Sequence, residues 1–345
     1  MKPMIRLIFL ALSAVYLLLP VHLSAQSSQQ PPVPEAIQSL QALQKLDQRL
    51  HNVGYRLASA NAEFCPTTIS NLGLLIHDID QYGNKSMARR AFGFDHPIAI
   101  NAIALGSPAA LAQLAVGDNI IDIAGQPIEN IMVDQQKLAD EKAEYRRIAA
   151  VKDHLAQSAA SGEVALTLTR ENQKYSEILK AARTCPSQFQ IRVSKSREAS
   201  ADGKMVSVSS TLAEYVVDDN ELAAIAAHEL AHNILKHRDR LNALKVNRGF
   251  FGQFGKSAGR IKAAEIEADR LSVWLMANAG YDPQAAIRFW TRYGKRYGKG
   301  IFSASTHYRW KKRVKLFAEE LKKMTNAKTR NGKFAPPLLT QEAKF

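Results

Sequence analysis

The chain has 345 residues, 46% hydrophobic and 23% charged, which fits one or two globular domains and excludes a low-complexity or disordered protein. Lys and Arg number 46 against 32 Asp and Glu, a formal charge of +14 that favours acidic partners. No RNP-like, zinc-finger or helix-turn-helix pattern accompanies that charge, so no nucleic acid partner is expected; an anionic membrane surface or plain solubility accounts for it.

Lys2 and Arg6 precede the apolar stretch Leu7–Leu19, and Leu23-Ser24-Ala25 offers a cleavage site, so residues 1–25 read as a signal peptide. The alternative is an uncleaved N-terminal anchor, although the apolar stretch is short against the ~20 residues of a membrane span. Either reading places the bulk of the protein in the periplasm. Residues 26–34 are a polar, Pro-rich linker. Glu35–Ala60 carries Ile37, Leu40, Leu43, Leu46, Leu50, Val53 and Leu57 at steps of three and four, an amphipathic helix that opens a segment over 35–85. Leu72–His77 follows as a short strand. Cys65 and Cys185 are the two cysteines, and in an oxidising compartment they read as one disulfide, with two buried thiols as the alternative.

Residues 86–183 change texture. Strand-like Ile98–Ala104 leads into Gly106-Ser107-Pro108-Ala109, then Gly117-Asp118-Asn119-Ile120-Ile121-Asp122-Ile123 and Gly125-Gln126-Pro127-Ile128. A helix is expected over Asp134–Ala159, with strands Val164–Thr169 and Tyr175–Leu179 closing the segment. The order of these motifs resembles a PDZ domain of the bacterial type. That resemblance implies binding of C-termini or extended peptides as an added strand, with Phe92-Gly93-Phe94 as the peptide-binding loop. The two cysteines bracket the segment, so a bridge between them would clamp the base of an inserted domain.

Phe189–Val193 and Lys204–Ser209 alternate like strands, and Asp202-Gly203 between them predicts a hairpin. A helix over Asp218–His237 follows, with an Asp218-x-x-Glu221 capping box. It carries His228-Glu229-Leu230-Ala231-His232. Residues four apart share a helix face, so His228 and His232 can direct two imidazoles at one ion, a known zinc half-site, with Glu229 beside them as general base. Nearly all of Leu222–Leu235 outside the motif is Ala, Leu or Ile, so this helix should be buried. Burying its polar groups without partners costs on the order of 1–3 kcal/mol each, a penalty that a bound cation removes.

The next helix, Arg260–Ala279, places Glu265 and Asp269 on one face, while Glu267 points elsewhere. Glu265 suits a third ligand and Asp269 a hydrogen-bond acceptor for an imidazole, though a solvated acidic face has the same spacing. With Ala279-Gly280-Tyr281-Asp282-Pro283 beyond it, this order resembles the zinc peptidases of the HtpX and CAAX prenyl-protease family. The resemblance implies one Zn2+ per protein molecule held by His228, His232 and Glu265, with Glu229 as the base. The family's downstream Ser-Thr-His…Arg element is matched by Ser305, Thr306, His307 and Arg313, with Tyr308 in place of a proline. His307 would then stabilise an oxyanion or gate the metal, and Arg313 would support substrate or transition state. No role falls to His237, read as the last turn of the metal helix.

The expected architecture is α+β: a mainly helical zincin-like peptidase domain over 35–85 and 184–325 with a small sheet, an inserted β-rich PDZ domain, and a frayed basic tail over 326–345. The expected function is a periplasmic zinc metalloendopeptidase acting on unfolded or misassembled envelope proteins. The alternative is a PDZ-bearing chaperone or adaptor whose zinc site is structural or self-inhibited.

Overall fold

The computed structural model describes residues 34–246, 255–298, 309–327 and 329–340. The signal-peptide reading, nearly all of the linker, and the Ser305-Thr306-His307 element lie outside the described residues. Among the described residues no helix is long and apolar enough to cross a membrane.

The first helix, α1 (Glu35–Ala60), has the bounds its periodicity predicts. Leu50, Val53 and Leu57 are fully buried, whereas Leu40, Leu43 and Leu46 are only half-buried. After it come β1 (Ile69–Asn71), β2 (Leu74–Asp78), α2 (Lys85–Phe92), β3 (Ile98–Ile103), α3 (Pro108–Leu111), β4 (Asn119–Ile123) and β5 (Gln126–Pro127). Then follow α4 (Ala143–Ala159), β6 (Glu163–Arg170), β7 (Gln173–Lys180) and β8 (Ala182–Thr184). One sheet runs β2-β3-β4-β6-β7 with antiparallel neighbours, and β5 pairs with β4. Its β-branched and leucine side chains, Ile98, Ile100, Ile120, Ile123, Leu166 and Leu168, form a core of their own.

Two expectations shift here. β2 is hydrogen-bonded along β3, so the sheet begins before residue 86. The helix expected from Asp134 starts instead at Ala143. The Asp134 carboxylate accepts from the Gln136 and Lys137 amides at 3.0 Å, which closes a turn that does not propagate.

At the foot of the sheet β1 pairs antiparallel with β8, and Cys65 and Cys185 form the expected disulfide, with Cα atoms 5.6 Å apart. Beyond it lie β9 (Gln188–Arg192), β10 (Ala199–Ala201) and β11 (Met205–Ser209), in the order β10-β11-β9. The predicted hairpin needs correcting: β9 and β11 are parallel, and the Asp202-Gly203 turn joins β10 to β11 instead. Asp202 accepts from the amides of Lys204 and Met205 at 2.8 and 2.7 Å, and Gly203 takes φ 102°. α1 lies directly on β9. A Cβ at Gly54 would stand 2.1 Å from the Phe189 ring, so glycine is required at this approach.

The remaining elements are α5 (Ser210–Tyr215), α6 (Asp219–Ile234), α7 (His237–Ala243), α8 (Gly255–Asn278), α9 (Gln284–Tyr297) and α10 (Trp310–Thr325). α6 ends earlier than expected because Lys236 takes a left-handed conformation, φ 52°, and His237 opens α7. Leu222, Leu230, Leu271, Leu275, Phe289 and Phe317 join α1 in the second, larger core. The tail does not fray at Asn326. Its hairpin of β12 (Thr329–Arg330) and β13 (Lys333–Phe334) precedes α11 (Pro337–Thr340). The Asn278 side chain accepts from the Phe334 amide at 2.8 Å and donates to its carbonyl at 2.9 Å, fixing the hairpin on α8. The architecture is α+β, with α1 in the helical core and the β2–β7 sheet spliced in after it.

Asp47 of α1 joins the two cores. Its buried carboxylate accepts from the Ile191 amide of β9 at 2.7 Å and from the Asn101 carboxamide of β3 at 3.0 Å. Burial outweighs both bonds and pushes its pKa from 3.8 up to about 6. A carboxyl whose pKa rises on folding stabilises the protein below its unfolded pKa, and that contribution is lost as pH climbs to about 6. Unfolding free energy should therefore fall between pH 4 and 6 by about 2–3 kcal/mol from this group. In Asp47→Asn that part of the slope should vanish from urea titrations across this range; an unchanged slope refutes the assignment.

Candidate metal centre

The centre is built where α6 crosses α8. Asp218 caps α6 by accepting from the Glu221 amide at 2.9 Å, and the Glu221 carboxylate accepts from the Val217 amide at 3.0 Å. The helix is buried on nearly every side, as its composition requires, and Glu229 is half-buried. His228 and His232 stand one turn apart with Nε2 atoms 3.2 Å from each other. Glu265 of α8 completes a triangle. Its Oε2 lies 3.4 Å from His228 Nε2 and its Oε1 lies 3.5 Å from His232 Nε2.

These separations test whether a cation fits. Tetrahedral ligands at bonds of 2.0–2.1 Å sit roughly 3.3 Å apart, close to the spacing of the two imidazole nitrogens from each other and of each from one Glu265 oxygen. Two imidazole nitrogens and a carboxylate oxygen are also a donor set for a borderline cation with an open fourth position. The residues fit a metal ion, and the three ligand groups are those expected from the sequence.

The far sides of the two imidazoles are held differently. His228 Nδ1 lies 2.9 Å from Asp269 Oδ1, so the carboxylate accepts the Nδ1 proton and leaves Nε2 facing Glu265. Asp269 is fully buried and receives two bonds from Arg313, Nε to Oδ2 at 2.8 Å and Nη2 to Oδ1. Burial favours the neutral acid, but Arg313 and His228 hold the Asp269 pKa below its ordinary range. Burial and Arg313 oppose a charge on His228, yet Asp269 and Glu265 outweigh them and raise its pKa to about 10. Cation uptake therefore competes with a proton on this ring.

His232 leans on another histidine. Its Nδ1 lies 2.9 Å from His237 Nδ1, and His237 Nε2 lies 3.0 Å from Glu267 Oε2. Burial and the charge on His228 lower the His232 pKa to about 3. Burial likewise lowers that of His237, despite Glu267. With both rings neutral, the geometry assigns the protons: His232 donates from Nδ1, and His237 accepts at Nδ1 while donating from Nε2 to Glu267. Arg240 Nη1 donates to the same Glu267 oxygen at 3.0 Å and helps keep it ionised.

Sequence reasoning misses His237 and Glu267. The left-handed Lys236 turns His237 back toward His232, which no uninterrupted helical period describes. Arg313 needs a correction too. The motif places it against substrate, but it is 3% exposed, lies behind His228, and stacks 3.5 Å above the Trp290 ring centroid. His307 falls outside the described residues.

The PDZ loop expectation also moves. Phe92 ends α2, Gly93 is its left-handed cap, and Phe92 and Phe94 are buried with His77 and Tyr82 in an aromatic cluster. The amides of Asp95 and His96 already donate to Asn119 Oδ1 at 3.0 Å. A second apolar-Gly-apolar triplet, Leu72-Gly73-Leu74, instead leads into β2, one of the two edge strands of the sheet as described, and a groove runs between that edge and α4.

An H-E-x-x-H helix with a carboxylate from a second helix, beside a sheet with an accessible edge, defines a metallopeptidase-type centre joined to a peptide-binding module. Residues 165–250 match peptidase family M48 and residues 70–144 match the PDZ domain family, as the motif-based resemblance implies. Most of β6 and all of β7 fall in the first of these matches, although they complete the sheet begun by β2. The mitochondrial metalloendopeptidase OMA1 of Schizosaccharomyces pombe is 31% identical over 124 residues, covering 30% of the present sequence. The match spans 37% of that relative's length.

Proposed function

We propose that the protein is a zinc-dependent metalloendopeptidase that cleaves unfolded or misassembled envelope proteins, recruited through its PDZ segment. The observation that carries this reading is the His228-His232-Glu265 triangle with Glu229 in the same helix turn. Export to the periplasm is part of the proposal, supported by the leader-like Lys2–Ala25 and by the Cys65–Cys185 disulfide.

His228, His232 and Glu265 would hold one zinc ion per protein molecule. When bound, zinc polarises a carbonyl and lowers the pKa of water. Glu229 accepts a proton from the attacking water and delivers it to the departing amine as the C–N bond breaks. Asp269 and His237 keep each imidazole in the tautomer that presents Nε2. A complete H-E-x-x-H favours hydrolysis over a structural site, which has no use for Glu229. The PDZ segment would deliver tails or extended stretches by strand addition.

Incubation with casein tests the proposal. The zinc-loaded protein should produce fragments, and a chelator should stop it. Intact casein after incubation with verified zinc-loaded protein would instead favour the adaptor reading.

A further inference from the structure

Between Asp282 and Glu319 the sequence holds ten Lys and Arg and no Asp or Glu, so basic charge concentrates where α9 meets α10. Part of it is neutralised within the fold: Arg288 pairs with Asp282, Arg292 with Glu221 and Arg313 with Asp269. Lys315 lies 3.9 Å from Glu319. Among the described residues no carboxylate pairs with Lys295, Arg296, Arg309, Lys311 or Lys312, and all five are exposed.

These cations surround two half-buried aromatic rings, Tyr297 and Trp310. A Cβ at Gly294 or Gly298 would stand 2.2 or 2.9 Å from the Trp310 ring, so the first turn of α10 sits against the last turn of α9. Lys311 Nζ lies 5.7 Å from the Trp310 centroid. Arg197, between β9 and β10, stacks 4.5 Å above the Tyr297 centroid, and Arg296 lies 5.5 Å from it. Glu198, the acid beside Arg197, is held by Arg192 at 2.7 Å. The positive end of the α10 dipole adds to the same field. A solubilising surface intersperses both signs of charge, and this one does not. Aromatic rings among exposed cations match an anionic bilayer, where phosphates take the charges and the rings sit at headgroup level.

We propose that the α9–α10 junction, through Lys295, Arg296, Lys311 and Lys312, docks the protein peripherally on an anionic phospholipid surface.

Sedimentation of the full-length protein with vesicles gives the test. The vesicles are phosphatidylcholine alone, or roughly three parts phosphatidylcholine to one part phosphatidylglycerol. Binding to the mixed vesicles should exceed binding to the neutral ones and should fall as salt is raised. Any contribution from the apolar Leu7–Leu19 stretch shows on neutral vesicles and is common to all variants. Changing Lys295, Arg296, Lys311 and Lys312 together to Gln should weaken anionic binding about a hundredfold. Exchanging Lys for Arg and Arg for Lys at the same four positions should leave it near wild type. Gln at the exposed Lys142, Lys174, Lys204 and Lys262 removes equal charge elsewhere and should change binding only slightly. Equal loss in the two Gln variants would show diffuse attraction and overturn the junction as the docking surface. Equal binding to both vesicle types overturns the proposal outright. Junction-dependent binding to soluble poly-glutamate, with none to vesicles, would assign the surface to acidic polypeptides instead.

Discussion

Glu229→Gln should abolish peptide hydrolysis while leaving the metal bound. Glu229 is not part of the His228-His232-Glu265 triangle, so zinc content by elemental analysis should stay near one per protein molecule. A glutamine keeps the shape of the side chain but cannot accept a proton at neutral pH, so the attacking water keeps its own. General acid–base contributions run to about 10²–10⁴-fold, and the drop in kcat should reach or exceed that range because one group serves both transfers. KM should move little. A variant that cuts as fast as wild type would place the base elsewhere and remove the mechanism proposed for this centre.

Arg313→Met should be the most damaging single change to stability outside the apolar cores. Arg313 and Asp269 are 3% and 0% exposed, and the guanidinium supplies two bonds to the carboxylate while lying on Trp290. Removing one partner of a buried pair leaves a desolvated charge and costs about 3–5 kcal/mol. Asp269 would take up a proton at a pH where it is now ionised, and would hold the His228 tautomer less firmly. Zinc affinity should then fall about 10–100-fold even where the variant is folded. The double variant Arg313→Met/Asp269→Leu removes both charges and should recover stability without recovering zinc affinity. Equal stability of wild type and Arg313→Met in urea would show that the pair is not what holds α10 against α8.

The contrast between what the sequence discloses and what it hides follows from how each residue is held. His228 and His232 are legible because they stand four residues apart on an unbroken helix; Glu265 and Asp269 share that spacing, but the family resemblance is what separates them from a solvated acidic face. Helix α1 is likewise legible from its spacing. His237 is not, since its approach depends on a left-handed Lys236, a conformation without a reliable signature outside glycine and asparagine. The family motif directs Arg313 to substrate and nothing in the local spacing singles out Glu320, yet both are buried in α10. Glu320 accepts there from Arg270 at 2.7 Å and from the Trp274 indole at 3.0 Å. Burial of a charge depends on partners distant in sequence, which local spacing cannot supply. The PDZ loop is hidden for another reason. The apolar-Gly-apolar triplet occurs twice, and only strand pairing shows that Leu72-Gly73-Leu74 leads into an edge strand.

The bridge between Cys65 and Cys185, 120 positions apart, turns the intervening segment into a covalent ring. A single cut anywhere inside the ring leaves both ends attached, so the peptide-reading module cannot be shed by one proteolytic event. The metallopeptidase-type centre in this way keeps the PDZ segment attached after any single cut within the ring. Reduction of one bond withdraws that protection.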